Sequence, residues 1–193
     1  MNYAFFDGNI KDYTEDVEYD IQGEEHDELM RVCFQYSDTF SVLLGHNILL
    51  ADQLKPFEIT VVDPDCYEYA PPYYFTYPEQ IRALHFYRIC PELYAILTEN
   101  IHSIWEWIDG WGFKNPENPH FYRADGTCFF MCNTHDGECF FYAREDEDVS
   151  SVVNKEHWYR EQDLWQNAIV SPRPKGYRPL IQKKPSDKGQ VPC

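Results

Sequence analysis

His120 to Ala143 reads HFYRADGTCFFMCNTHDGECFFYA, and this stretch decides the fold. Asp125-Gly126 and Asp136-Gly137 are dipeptides that favour two-residue hairpin turns, because both central positions of such a turn need a left-handed backbone. The runs around them, HFYRA, TCFFMCN and ECFFYA, are rich in aromatic residues, so the segment predicts a three-stranded antiparallel meander over about 120–143. Pairing through two-residue turns sets Phe121, Arg123, Cys128, Phe130, Cys132, Cys139 and Phe141 on one face. His120, Tyr122, Phe129, Met131, Phe140 and Tyr142 take the other. Both faces are apolar, so the sheet needs cover on both sides.

Upstream, Pro78 and Pro91 stand where a first-turn proline opens a helix, ahead of EQIRALHFYRIC and ELYAILTENIHSIWEWID. In the second, Leu93, Leu97, Ile101, Ile104 and Ile108 form one stripe that Gly110 ends. Leu29, Val32, Cys33, Tyr36, Phe40, Leu43 and Leu44 recur at helical spacing and predict another helix, broken near Ser37. FEITVV, Phe57 to Val62, is a β-branched run closed by Asp63-Pro64 and predicts a strand. Val17, Tyr19 and Ile21 alternate with Asp16, Glu18 and Asp20, the pattern of a strand with an acidic outer face. A last helix is expected around Glu156 to Ala168. The class is α+β, with several helices packed on a mostly antiparallel sheet.

The chain has 193 residues, 44% of them hydrophobic and 17% aromatic, so its acidity sits on a folded body and not on a disordered polymer. Charge is unevenly placed. From Ser171 on, six basic residues face Asp187 alone, and Pro172, Pro174, Pro179, Pro185 and Pro192 space them; residues 171–193 are expected to be a basic, flexible tail. Residues 1–170, one globular domain, hold 10 Lys and Arg against 32 Asp and Glu, a formal −22. Such a body repels nucleic acid and anionic membrane and attracts basic proteins.

MNYAFFDGN lacks the basic and apolar regions of a signal peptide, and no apolar run is long enough to span a bilayer. Seven scattered cysteines, mostly beside apolar residues, read as reduced thiols, so a cytoplasmic location is expected.

Cys128, Cys132, His135 and Cys139 crowd one hairpin, but residues four apart on a strand are roughly 13 Å apart, too far for one tetrahedral zinc. No metal and no cofactor is expected, and no GxGxxG, GxxxxGK[ST] or HExxH pattern occurs. Ala124 to Phe130, ADGTCFF, resembles the motif of ovarian-tumour-type deubiquitinating proteases, in which Asp, Gly and Asn precede the catalytic Cys, with Thr127 standing where the family has Asn. The resemblance implies Cys128 as nucleophile and His157 as base of a cysteine hydrolase. The residues alone read as a core cysteine after a turn, with no catalytic set.

Two further readings follow from charge. Asp16, Glu18 and Asp20 on one strand face would stand roughly 6.7 Å apart, close to twice the ~3.4 Å phosphate spacing of a DNA strand, so the chain could mimic nucleic acid as an anti-restriction or anti-CRISPR protein. The favoured reading is an acidic inhibitor of a basic partner, such as an immunity protein against a bacterial toxin or nuclease. Aromatic anchors inside a carboxylate rim would bind it: Tyr73 and Tyr74 in the Tyr67–Tyr77 loop, Trp107 and Trp111 with Glu106 and Asp109, and the acidic run Glu145, Asp146, Glu147, Asp148.

Overall fold

The structure, a computed structural model, describes residues 2–6, 19–45, 48–62, 83–108, 114–134, 137–155 and 157–160. In chain order its elements are β1 (Asn2–Phe6), α1 (Glu24–Gln35), β2 (Thr39–Leu44), α2 (Ala51–Leu54), β3 (Glu58–Val62), β4 (Ala83–Arg88), α3 (Pro91–Asn100), β5 (Glu117–Tyr122), β6 (Cys128–Asn133), β7 (Glu138–Tyr142), α4 (Ser150–Val153) and β8 (Trp158–Arg160). Short 3-10 turns cover Lys55–Phe57 and Ile104–Glu106. All eight strands join one antiparallel sheet in the order β3-β4-β2-β5-β6-β7-β1-β8, so the fold is α+β.

Period-two alternation divides the sheet. Phe5, Phe40, Val42, Tyr87, Phe121, Phe130, Cys132, Cys139 and Phe141 pack with Leu29, Met30, Val32 and Cys33 of α1 and Leu93 and Leu97 of α3. Ala4, Leu43, Leu84, Phe86, Tyr122, Cys128, Met131 and Phe140 are buried on the opposite face. Glu24, Asp27, Arg31 and Gln35 stay exposed on α1, and its three first-turn acids (Glu24, Glu25, Asp27) complement the positive end of the helix dipole. Gly23 precedes it at φ 56, a conformation that favours glycine.

The meander is present, with longer turns than the sequence suggests. Arg123 N–H donates to the Thr127 carbonyl and Gly126 N–H to the Arg123 carbonyl, so three residues form the first loop, with Gly126 at φ 79. That extra residue offsets the pairing by one, and a bulge restores it: Tyr122 opposes Cys128, while Phe121 opposes Phe130. Phe129 and Cys128 are thereby exchanged relative to the expected faces. Phe129 joins the helix side and Cys128 the far side. The β6–β7 ladder begins at Asn133↔Glu138, two positions from the two-residue register, and an even shift preserves the faces.

Other expectations are corrected by long-range pairing. Phe40, Leu43 and Leu44 belong to β2 and not to a helix, and the expected helix over residues 79–90 is β4 from Ala83 to Arg88. These two strands pair along their full length, Thr39↔Arg88 to Leu44↔Ala83. The helix from Pro91 ends at Asn100, because Ile101 is extended (φ −131) and Ser103 starts a separate turn, although Leu93, Leu97, Ile101, Ile104 and Ile108 are all buried as the stripe requires. Trp158–Arg160 form β8 where the sequence predicts a helix; residues 161–168 lie outside the described residues, as does the basic tail. Tyr19 to Ile21 carry no strand pairing, and residues 16–18 are outside the described residues. Among the described residues no helix is long and apolar enough to cross a membrane.

Two core histidines make stability pH-dependent. Burial, then the nearby His102, lowers His26 to about 4, and burial alone lowers His120 to about 3. Below the ordinary histidine range near 6.5, the unfolded chain takes up protons that the folded core refuses. Stability is therefore expected to fall as pH drops from about 6.5 towards 4, by up to roughly 1.4 kcal/mol per pH unit for each histidine. Urea midpoints between neutral and mildly acidic pH check this, and His120→Gln is expected to flatten the profile.

Candidate functional site

The acidic run predicted from the sequence forms the connection from β7 to α4. Tyr3, Ala143, Arg144, Glu145, Asp146, Glu147, Asp148, Val149 and Ser150 line an open cleft of about 440 Å³ there. A buried guanidinium fixes its shape. Arg123 Nε and Nη2 each lie 2.5 Å from a Glu147 carboxylate oxygen, and both side chains are only 8% exposed. Arg123 also donates to the carbonyls of Cys128 and Tyr142 at 2.7 Å and to Thr127 Oγ1 at 3.1 Å, and its guanidinium lies 5.2 Å from the Phe129 ring centre.

The same turn is tied at two more points. Arg144 N–H donates to Glu147 Oε2, and its guanidinium bonds Asp125 Oδ2 and Thr127 Oγ1 of the first hairpin loop. Asp148 N–H donates to the Tyr36 hydroxyl at 3.1 Å, and Asp148 Oδ1 accepts from Ser150 N–H, leading into α4. Burial opposes the charge on Glu147, but its bonds to Arg123 and Arg144 hold it below the usual carboxylate range. Ser150 lowers Asp148 likewise. Glu147 is thus consumed inside, and Glu145, Asp146 and Asp148 are left facing water from a fixed backbone.

α4 packs on α1, which brings a second set of acids alongside. There Glu28 pairs with Arg31 at 2.7 Å and Glu25 accepts from Tyr19 at 2.6 Å, with Lys155 at 3.8 Å. Glu24 and Asp27 remain exposed. Across the described residues Glu24, Asp27, Asp38, Asp52, Glu92, Glu99, Glu145, Asp146 and Asp148 are exposed acids that enter no ion pair, while Arg123, Arg144, Arg31, Lys55 and Lys155 are each engaged with a carboxylate.

The remaining expected contact residues divide into two groups. Asp16, Glu18, Tyr73, Tyr74, Asp109 and Trp111 lie outside the described residues. Asp20, Glu106 and Trp107 serve the interior instead. Ser103 accepts from Glu106 N–H and Glu106 Oε2 accepts from His102 N–H at 2.7 Å, a reciprocal cap on the Ile104–Glu106 turn that Asp20 completes by accepting from Trp105 N–H. Burial raises the Asp20 pKa, against the lowering effect of its own bonds to the Ser103 side chain and the Trp105 and Ile104 backbone. Trp107 is fully buried and its indole N–H donates to His26 Nε2 at 3.1 Å, so it has no surface to offer a partner.

Cys128 sits within strand β6 on the sheet face away from the helices, its thiol 3.3 Å from the Phe130 carbonyl. His157 packs against Phe5 and stacks on Tyr19 at 4.4 Å, on the helix side. The sheet separates the two, so the geometry assembles no Cys128–His157 pair. Cys132 and Cys139 oppose each other with sulfurs 3.2 Å apart in the core, and burial pushes the Cys33 and Cys139 thiols up. Among the described residues no group of three His, Cys, Asp or Glu is arranged to hold a metal ion.

Arg123 is the site residue that sequence reasoning passed over. One arginine in an otherwise aromatic hairpin, ahead of an acidic run whose Glu147 lies 24 residues on, is the local sign of it. Comparison with protein-family models, with curated proteins and with solved structures finds no match.

Proposed function

We propose that this chain is an acidic inhibitor that binds and neutralises a basic protein, such as a bacterial toxin or nuclease, through the β7–α4 turn and the adjoining acidic surface of α1. The observation that carries the reading is the set of exposed carboxylates with no cation paired to them among the described residues, three of them on a turn held by Arg123. A net charge of −17 raises the encounter rate with a cationic surface over the Debye length of about 8 Å, and a preorganised turn loses little freedom on docking. Tyr3, half-buried in the cleft, supplies an aromatic contact beside the carboxylates. The nucleic-acid-mimic reading has less support, because Asp20 of its proposed row faces Trp105 N–H.

The test captures the partner on the tagged protein from its native host, identifies it by mass spectrometry and purifies it. Changing Glu145→Gln, Asp146→Asn and Asp148→Asn together is expected to weaken binding about 10- to 100-fold in low salt, chiefly through slower association. Unchanged affinity would remove the turn from the interface. Competition by duplex DNA for the same partner distinguishes a general acidic inhibitor, weakly displaced, from a mimic, freely displaced.

A further inference from the structure

Cysteine faces cysteine at one place in the described strand ladders. Cys132 of β6 pairs with Cys139 of β7, and the Cys139 thiol donates to the Cys132 sulfur at 3.2 Å. Directly opposed strand residues have Cα atoms about 4.5–5.5 Å apart, inside the span of about 4.4–6.8 Å that a disulfide bridges. Bringing the sulfurs to a bond length of about 2.05 Å therefore takes a small side-chain movement and no change of register. Cys33 of α1 belongs to the same core cluster, while Cys128 lies on the other face of the sheet.

The pair stands one step from the end of its ladder, Asn133↔Glu138, where a hairpin frays first. Both residues are at most 1% exposed, and burial pushes the Cys139 thiol up. The closed hairpin thus holds little reactive thiolate, and attack on an oxidant waits on fraying.

We propose that Cys132 and Cys139 form a reversible redox site, which hydrogen peroxide closes into a disulfide and a thiol reductant reopens. One sulfur, having lost its proton, attacks a peroxide oxygen; the O–O bond breaks, and the departing hydroxide takes up that proton as water. The sulfenic acid so formed already touches its partner. The second sulfur attacks it, the S–O bond breaks, and the oxygen leaves as water with the second thiol's proton. Two thiols are oxidised by two electrons and one peroxide is reduced to two waters. Contact between the sulfurs favours this outcome over further oxidation to sulfinic acid. Opposed Cβ atoms stand about 4.5–5.5 Å apart, against about 3.8 Å in a relaxed disulfide, so the bond draws the strands together and is of the strained, readily reduced kind. Two reduced glutathiones reopen it and leave as one oxidised glutathione.

The test exposes the full, reduced chain to hydrogen peroxide in plain buffer and in urea below the unfolding transition. Free thiols are then blocked with iodoacetamide, and cleavage before Asp136 separates the two cysteines, so mass spectrometry of the cross-linked fragments identifies the bond. The Cys132–Cys139 bond is expected to exceed every other cysteine pairing by at least about tenfold, because contact gives it a high effective concentration. It is expected to form faster in the mild urea and to disappear with reduced glutathione. Cys33→Ala is expected to retain it and Cys132→Ala to abolish it. Oxidation in fully denaturing urea is expected to lose the preference, since Cys128 is nearer than Cys139 to Cys132 in sequence. Free Cys132 and Cys139 after oxidation of the folded chain, a bond to Cys33 or Cys128 as abundant as theirs, or the same mixture from folded and unfolded chains overturns the proposal.

Discussion

Arg123→Ala is expected to lower the unfolding free energy by about 3–5 kcal/mol, the largest loss expected from any single side chain near the surface of this fold. The reason is what the substitution leaves behind. Glu147 would keep a carboxylate that is 8% exposed without its bidentate partner, held only by the Arg144 N–H and the weaker pull of the Arg144 charge, and the Cys128 and Tyr142 carbonyls would lose a charged donor. The ring of Phe129 loses its cation as well. Much of the cost belongs to the stranded charge, so Glu147→Gln added to Arg123→Met is expected to recover part of it. Urea denaturation of the two singles and the double measures the coupling. A loss below about 1 kcal/mol for Arg123→Ala would show that water reaches Glu147 and that the turn is not held as described.

Trp107→Ala is expected to cost a similar amount, about 3–5 kcal/mol, through a different mechanism. The side chain is fully buried against Phe40, and its removal leaves a cavity that α1 and the sheet cannot close without moving. It also takes the donor from His26 Nε2, a buried acceptor closed off from solvent. Trp107→Phe helps to separate the two contributions, since it retains most of the volume and loses the indole N–H with a smaller part of the ring system. Its expected cost is about 1–3 kcal/mol, read from the same denaturation curves. If Trp107 were instead an exposed contact, both changes would leave stability unaltered and weaken partner binding.

Local chemistry made part of this fold legible. Turn dipeptides and aromatic runs predict the meander, Pro91 predicts the start of α3, and the spacing of Leu29, Val32 and Cys33 predicts the buried side of α1. β2 and β4 were not legible, because Leu43-Leu44 and Ala83-Leu84 suit a helix as well as a strand until each finds the other across the sheet. β1 and β8 depend likewise on pairing between the two ends of the described chain. In the candidate site the acidic run was visible as charge. Which carboxylates it keeps for solvent was not, since that depends on Arg123, just past the end of β5, reaching Glu147 from 24 residues earlier. Glu106 and Trp107 looked like surface features for the same reason: their partners, His102 N–H and His26, are set by capping and core packing and not by hydropathy.

Guidance of a cationic partner by the unspent carboxylates is tested most directly by the dependence of the association rate constant on salt. With the purified partner, stopped-flow mixing of the wild type is expected to show association slowing steeply as ionic strength rises, with the dissociation rate nearly constant. The Glu145→Gln, Asp146→Asn, Asp148→Asn variant is expected to give a shallower slope. An association rate indifferent to salt, and equal for the two proteins, would contradict it.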